Sequence, residues 1–260
     1  MKRLALILAA AVAAFSCTFN INIGGTPITG DGTISEKTFE FESFDAIRVA
    51  GAMDVTYIQR DGKSGAVLRT DENLLEEYTL EVEDGTLIIS PRKGINPIPS
   101  KGTEVTVCAP CIDAIKLAGS GDCNIPDGFA SSGDFSFTLA GSGDFYAYSI
   151  KCKEFSAKVG GSGDIKAGSI EAESASFSVA GSGDIEVDAL TSEKVTIGIT
   201  GSGSAEVGCR GAGDIDINIT GSGRVDLKGS ARSLSQHISG SGTSRHGGTP
   251  VPGTGTNRCA

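Results

Sequence analysis

Between residues 115 and 238 apolar side chains fall at every second position on both sides of a recurring glycine turn. The turn is Ala140-Gly141-Ser142-Gly143-Asp144, and it recurs at 118–122, 160–164 and 180–184. Weaker forms follow at 200–204, 220–224 and 239–243. Counted on the first glycine of each copy (Gly119, Gly141, Gly161, Gly181, Gly201, Gly221, Gly240), the steps are 22, 20, 20, 20, 20 and 19 residues. Two residues before that glycine stand Leu117, Leu139, Val159, Val179, Ile199, Ile219 and Ile238; four before stand Ile115, Phe137, Ala157, Phe177, Ile197 and Ile217. Four and six after it stand Phe145, Ile165, Ile185 and Val225, then Ile125, Val187, Val207 and Leu227. The residues between are Ser, Thr, Lys, Glu, Asp and Asn. Period-two alternation marks strands, so each unit reads as strand, glycine corner, strand and second corner.

A unit of two short strands cannot bury its own apolar face. Stacking equivalent units does, and each apolar column then runs up the interior. The same residue class at the same offset in every copy predicts an all-β fold, a parallel β-helix with coils of about 20 residues and Gly-Ser-Gly-Asp corners. Coils then lie roughly 4.8 Å apart, and the crossover rule favours right-handed winding. The regular repeats occupy 118–242.

Residues 36–117 are less regular. Ala50-Gly51-Ala52-Met53-Asp54, followed by Val55 and Tyr57, is a degenerate first repeat. Leu80 and Val82, then Asp84-Gly85, then Leu87 and Ile89 predict a hairpin, because Asp-Gly tolerates the positive φ of a type I′ turn. Residues 71–77 predict a loop or one helical turn, and 93–101, with Pro97 and Pro99, a loop. The Gly-, Pro- and Thr-rich segment 243–260 predicts a flexible tail.

The first 16 residues predict a lipoprotein signal peptide: Lys2 and Arg3, then an apolar run from 4 to 15 that is too short to span a bilayer. Cleavage before Cys17 would leave its thiol to carry the lipid, a palmitate-type anchor. Residues 17–35 then form a tether. This predicts a lipid-anchored cell-envelope protein, attached to the outer membrane on its periplasmic or its surface side.

Composition narrows the chemistry. The 37 glycines and absence of Trp suit strands and tight turns. A net charge of −10 disfavours nucleic acid as a partner. Beyond Cys17 the cysteines are Cys108, Cys111, Cys123, Cys152, Cys209 and Cys259, at no common repeat position, which favours core packing or structural disulfides. Cys108-Ala-Pro-Cys111 lacks the second CxxC of a zinc site. Asp122, Asp144, Asp164 and Asp184 share one offset, so they stack. Such a column caps turns through backbone N–H groups or, as the alternative, holds Ca²⁺. His237 and His246 have no evident catalytic partner, and no cofactor is expected. Tyr146 and Tyr148 form an exposed aromatic pair. The strand faces and the irregular segment 61–101 are where a site is expected.

The stretches Ile47-Arg-Val-Ala-Gly-Ala-Met-Asp-Val-Thr-Tyr-Ile-Gln59, Asp71-Glu-Asn-Leu-Leu75, Gly85-Thr-Leu-Ile-Ile89 and the Leu-Ala-Gly-Ser-Gly-Asp repeats together resemble the head GIN domain proteins, autotransporter-type adhesin lipoproteins of Bacteroidetes. The resemblance runs from about residue 44 to 242. It implies a parallel β-helix in the cell envelope and brings no site residues. The function expected is a non-catalytic adhesin or scaffold for a glycan or protein ligand. The alternative is a β-helix that binds or degrades polysaccharide.

Overall fold

The computed structural model describes residues 25–247. The signal peptide, Cys17 and the rest of the tether up to residue 24, and the segment 248–260 with Cys259 lie outside the described residues.

The chain is a parallel β-solenoid of about seven turns. Its regular part is built from long bent strands, Ile165–Gly181, Asp184–Gly201, Ser204–Gly221 and Arg224–Gly240, each paired in parallel with the next. Equivalent repeat positions sit side by side: Val159 beside Val179, Val179 beside Ile199, Ile199 beside Ile219. The columns are dry, with Phe155, Phe177 and Ile197 almost fully buried. Phe155 and Phe177 meet at 5.6 Å between ring centroids, within the range aromatic pairs favour.

Each coil has three faces, one more than the alternation predicts. Along Ile165–Gly181 the buried residues are Ile165 and Ala167, then Ile170 and Ala172, then Ala175, Phe177 and Val179. The pairs Gly168-Ser169 and Glu173-Ser174 each put two residues in succession outside the core, which bends the strand without ending it. The third face is lined inside by Ile150, Ile170, Leu190 and Cys209, and by Cys152, Ala172, Ser192, Ala212 and Ala231. The second of these columns is built of small residues, which carry no clear hydrophobic signal, and the bends put both columns out of phase with the alternation around the glycine corner.

At the corner, Gly141 has φ +147°, and a Cβ there would run into the carbonyl oxygen of Gly119 directly beneath. A Cβ on Gly163 would likewise overlap the carbonyl of Gly143. Both glycines are therefore required by the stacking distance.

The first coils are threaded out of chain order. Ala46–Gly51 lies beside Ala114–Gly119 on one edge, residue for residue, and beside Thr86–Pro91 on the other. Met53–Gln59 lies likewise between Thr103–Ala109 and Cys123–Ile125. The chain therefore crosses over this coil between residues 110 and 113. Tyr57 Oη donates to the Ala109 carbonyl at 3.0 Å, and Gln59 Nε2 donates to those of Pro110 and Ala130 at 2.9 and 2.7 Å.

This end is capped by antiparallel pairing. Ser64–Asp71 covers Thr103–Ala109, and Ile34–Phe41 covers Ser64–Asp71. Tyr78–Glu83 covers Thr86–Pro91 through the expected hairpin, with positive φ at both Asp84 and Gly85. Residues 72–77 form a short 3-10 helix that buries Leu74.

Two loop expectations are corrected. Within the tether 17–35, Thr26–Thr29 is a strand, and it pairs with Ile95–Ile98 inside the expected loop 93–101. Pro27 and Pro97 are tolerated because this two-stranded ribbon is all edge. Asp71 explains its placement. Its fully buried carboxylate accepts Gly32 N–H at 2.7 Å and both the hydroxyl and N–H of Ser100 at 2.6 and 2.7 Å. Asn73 adds bonds to Asp31 N–H and the Thr29 carbonyl. The expected tail 243–260 also begins too early, since Thr243–Gly247 is a strand paired with Arg224–Lys228. Its inward positions are polar: Ser244 continues the Val225 column and His246 the Leu227 column. Gln236 does the same above Ile217.

Candidate functional site

The structure brings Asp122, Asp144, Asp164 and Asp184 into one column, and Asp54 of the threaded coil extends it. In each step a carboxylate Oδ1 accepts the backbone N–H of the equivalent residue in the next coil, at 2.8–2.9 Å, from Asp54 to Asp122 through to Asp184 and Ser204. The Asp carbonyls work in the opposite direction. Cys123 N–H donates to Asp144 and Phe145 N–H to Asp164. Ser204 ends the ladder. Beyond it, where no carboxylate is present, Arg224 N–H donates to the Gly203 carbonyl and Thr243 N–H to that of Gly223. The Asp is thus a substitute acceptor for a corner whose backbone carbonyls point elsewhere. Among the described residues no three His, Cys, Asp or Glu side chains are grouped to hold a metal ion.

Other candidates scatter. Tyr146 Oη donates to Asp144 Oδ2 at 2.9 Å, and Lys166 Nζ lies 5.8 Å from its ring centroid. That hydrogen bond, reinforced by burial and neighbouring Asp charges, pushes the phenol up to about 12. Tyr148 stands alone, 72% exposed. Cys123 and Cys152 face the core, and burial pushes their thiols up to about 12 and about 11. Cys209 is buried as well, and burial raises it too. Cys108 and Cys111 are half-buried and free, with Cys111 Sγ 3.3 Å from Ser131 Oγ. His237 is exposed on the outer surface, and His246 faces inward. The segment 61–101 builds the cap.

A concave surface occurs instead on the third face. One hollow of about 440 Å³ is lined by Ser131, Ser132, Lys151, Lys153, Glu171, Glu173, Thr191 and Glu193, with Cys152, Ala172 and Ser192 at its floor. A second, of about 420 Å³, adjoins it and includes Gln59, Asp127, Ser149 and Ser169. Lys151 and Glu171 line both, and their ion pair at 2.7 Å forms the ridge between them. Lys153 and Glu173 project from the bend on consecutive coils, joined by a backbone hydrogen bond between Glu173 N–H and the Lys153 carbonyl. At the far end Arg232 bridges Glu193 and Asp214, each at 3.0 Å, and its hydrogen bonds hold the Asp214 carboxyl down at about 2. The groove exists because the two outward residues at the 173–174 bend stand clear of the small floor column. Only the break in period at 172–175 could have revealed it.

The fold and its repeats place the chain in a defined class. Its residues 43–231 match the family described as "Putative auto-transporter adhesin, head GIN domain", and the chain belongs to that family. The structure is similar to that of a "putative adhesin" from Bacteroides fragilis, with 24% identity, a TM-score of 0.75, and 84% of this chain and 99% of that one covered. It is similar to a "putative lipid binding protein" from Parabacteroides distasonis, with 26% identity, a TM-score of 0.70, and coverage of 85% and 99%. A "putative adhesin" from Parabacteroides merdae aligns with 20% identity, a TM-score of 0.63, and coverage of 85% and 98%. No curated protein matches the chain. Among the described residues no helix is long and apolar enough to cross a membrane.

Proposed function

We propose that the protein is a non-catalytic adhesin or scaffold of the cell envelope, held by a lipid on Cys17, with the solenoid as its binding surface. The observation that carries this reading is the solenoid itself in a chain of the adhesin family. Each inner coil is hydrogen-bonded on both edges to its neighbours, so outward side chains stand in fixed rows at the coil spacing. Such a surface engages a partner with little ordering entropy left to lose. The description of one relative as lipid-binding finds less support, because the core columns fill the interior and the groove is lined by charged and hydroxyl groups.

The test compares a deletion strain with strains carrying the intact chain or Cys17→Ala on surfaces coated with glycans or matrix proteins. The intact chain is expected to restore attachment and to fractionate with membranes, and Cys17→Ala to lose both. Protease shaving of intact cells assigns the side of the outer membrane. Attachment equal in all strains overturns the adhesin reading, and hydrolysis of an offered polysaccharide overturns the non-catalytic one.

A further inference from the structure

We propose that the groove on the third face, bounded by Lys151, Lys153, Glu171 and Glu173, binds a linear, uncharged, hydroxyl-rich glycan. The proposal rests on the reading of the protein as a binding module and names its site and ligand class. Three observations select this occupant. The first is shape. The two adjoining hollows cross the coils from Ser131 to Gly211, four coil spacings or about 19 Å, which suits an extended chain better than a compact small molecule.

The second is charge. Lys151 and Lys153 stand on one coil, Glu171 and Glu173 on the next, and Glu193 on the one after. A polyanion drawn to the lysines meets three carboxylates beyond them, and a polycation meets the reverse. A neutral polyol faces neither penalty. Its hydroxyls both donate and accept, so ammonium, carboxylate and the hydroxyls of Ser131, Ser132, Ser169 and Thr191 are all usable partners. Lys153 and Glu173 hold no ion pair among the described residues, so they reach a ligand without first breaking one.

The third concerns other partners. A peptide added as a strand needs a free sheet edge, but the strands under the groove from Phe145–Lys151 onward are paired on both sides, and at the short end strand Phe129–Ala130 the Gln59 carboxamide already binds the Ala130 N–H and carbonyl. A lipid tail or amphipathic helix needs exposed apolar area, and the large apolar side chains of the lining, Phe129 and Ile150, are buried, as are Cys152 and Ala172. The aromatic ring in the lining, Phe129, is buried and presents no face for a sugar to stack on, so each site is weak, and many copies on a surface supply the avidity.

The test is affinity electrophoresis of the full chain in detergent, through native gels cast with dextran, mannan or a linear β-glucan, with polygalacturonate as the charged comparison. At least one neutral polymer is expected to retard the protein, and polygalacturonate less so. The double variant Lys153→Ala/Glu173→Ala and the variant Thr191→Leu, which fills the groove while removing its hydroxyl, are expected to weaken retardation about tenfold or more, the loss of one or two hydrogen bonds. Lys116→Ala, on another face, serves as the control and keeps it. Melting curves matching the parent show that each variant folds. Retardation by none of the neutral polymers, retardation unchanged in both groove variants, or stronger retardation by polygalacturonate overturns the proposal. If the groove variants still restore attachment in the deletion strain, the adhesin reading stands and the glycan groove falls.

Discussion

The carboxylate of Asp144 accepts the backbone N–H of Asp164 at 2.8 Å, one coil further along the stack. Each Asp is therefore a rung, and a central rung is a measurable quantity. Asp164→Ala removes the acceptor of Asp184 N–H and is expected to lower unfolding free energy by about 1 kcal/mol in denaturant melts. Asp164→Asn keeps a carbonyl oxygen and is expected to lose less. Because the rungs are made with N–H groups, a chelator is expected to leave the melting temperature unchanged. A drop reversed by added Ca²⁺ would restore the metal column.

The same Asp144 governs a titration. Its hydrogen bond raises Tyr146 to about 12. A raised phenol favours the neutral, folded form. Its contribution is complete below the ordinary tyrosine value near 10 and is lost as pH climbs through about 12. Ultraviolet titration of Asp144→Asn is expected to show one tyrosine ionising earlier than in the parent.

The corner glycines and the serine between them make a sharp contrast. Gly163→Ala drives a methyl into the Gly143 carbonyl and is expected to destabilise by about 3 kcal/mol or more, or to prevent folding. Ser162 is exposed, and Ser162→Ala is expected to stay within about 0.5 kcal/mol of the parent. Thermal melts of the two variants check this.

Most of the stack was legible because Leu117, Leu139 and Val159 share an offset, and an offset repeated in every copy dictates the register. The third face was not, because Cys152, Ala172 and Ser192 are small and the bends at 168–169 and 173–174 shift the phase of alternation. The ribbon of Thr26–Thr29 with Ile95–Ile98 was illegible for another reason. It is held by Asp71, more than thirty residues away in one direction and more than twenty in the other, and local pattern carries no trace of such a bond. The groove follows from the hidden face, so it too lay beyond the sequence, whereas the Asp column was visible and only its hydrogen-bond partners were not.

Asp71 gives the acid prediction. The Ser100 hydroxyl and backbone N–H, with Gly32 N–H, hold its carboxyl below the ordinary value. A depressed carboxyl stabilises the fold above its unfolded pKa near 4 and loses that contribution as pH falls through the lower folded value. Asp71→Asn is expected to raise hydrogen exchange in Thr26–Thr29 and Ile95–Ile98 at neutral pH while the coils beyond residue 114 stay protected. The parent is expected to show the same local opening only in acid.

Coil equivalence predicts a clean excision. Removing residues 182–201 joins Gly181 to Ser202 with every column in phase, and the shortened chain is expected to fold with a modestly lower melting temperature. Removing 182–191 leaves half a coil and is expected to abolish the cooperative transition. Circular dichroism distinguishes the two.

The coil of residues 46–59 lies between coils that follow it in the chain, and this makes the molecule mechanically lopsided. A pull from the C-terminal side peels one coil at a time from an outer edge, breaking few bonds in each step. A pull from the N-terminal side, once the cap strands yield, must draw an interior coil out from between two neighbours and break both ladders together. The solenoid is therefore a tether with a strong end and a weak end, and under load it fails from the far tip backwards.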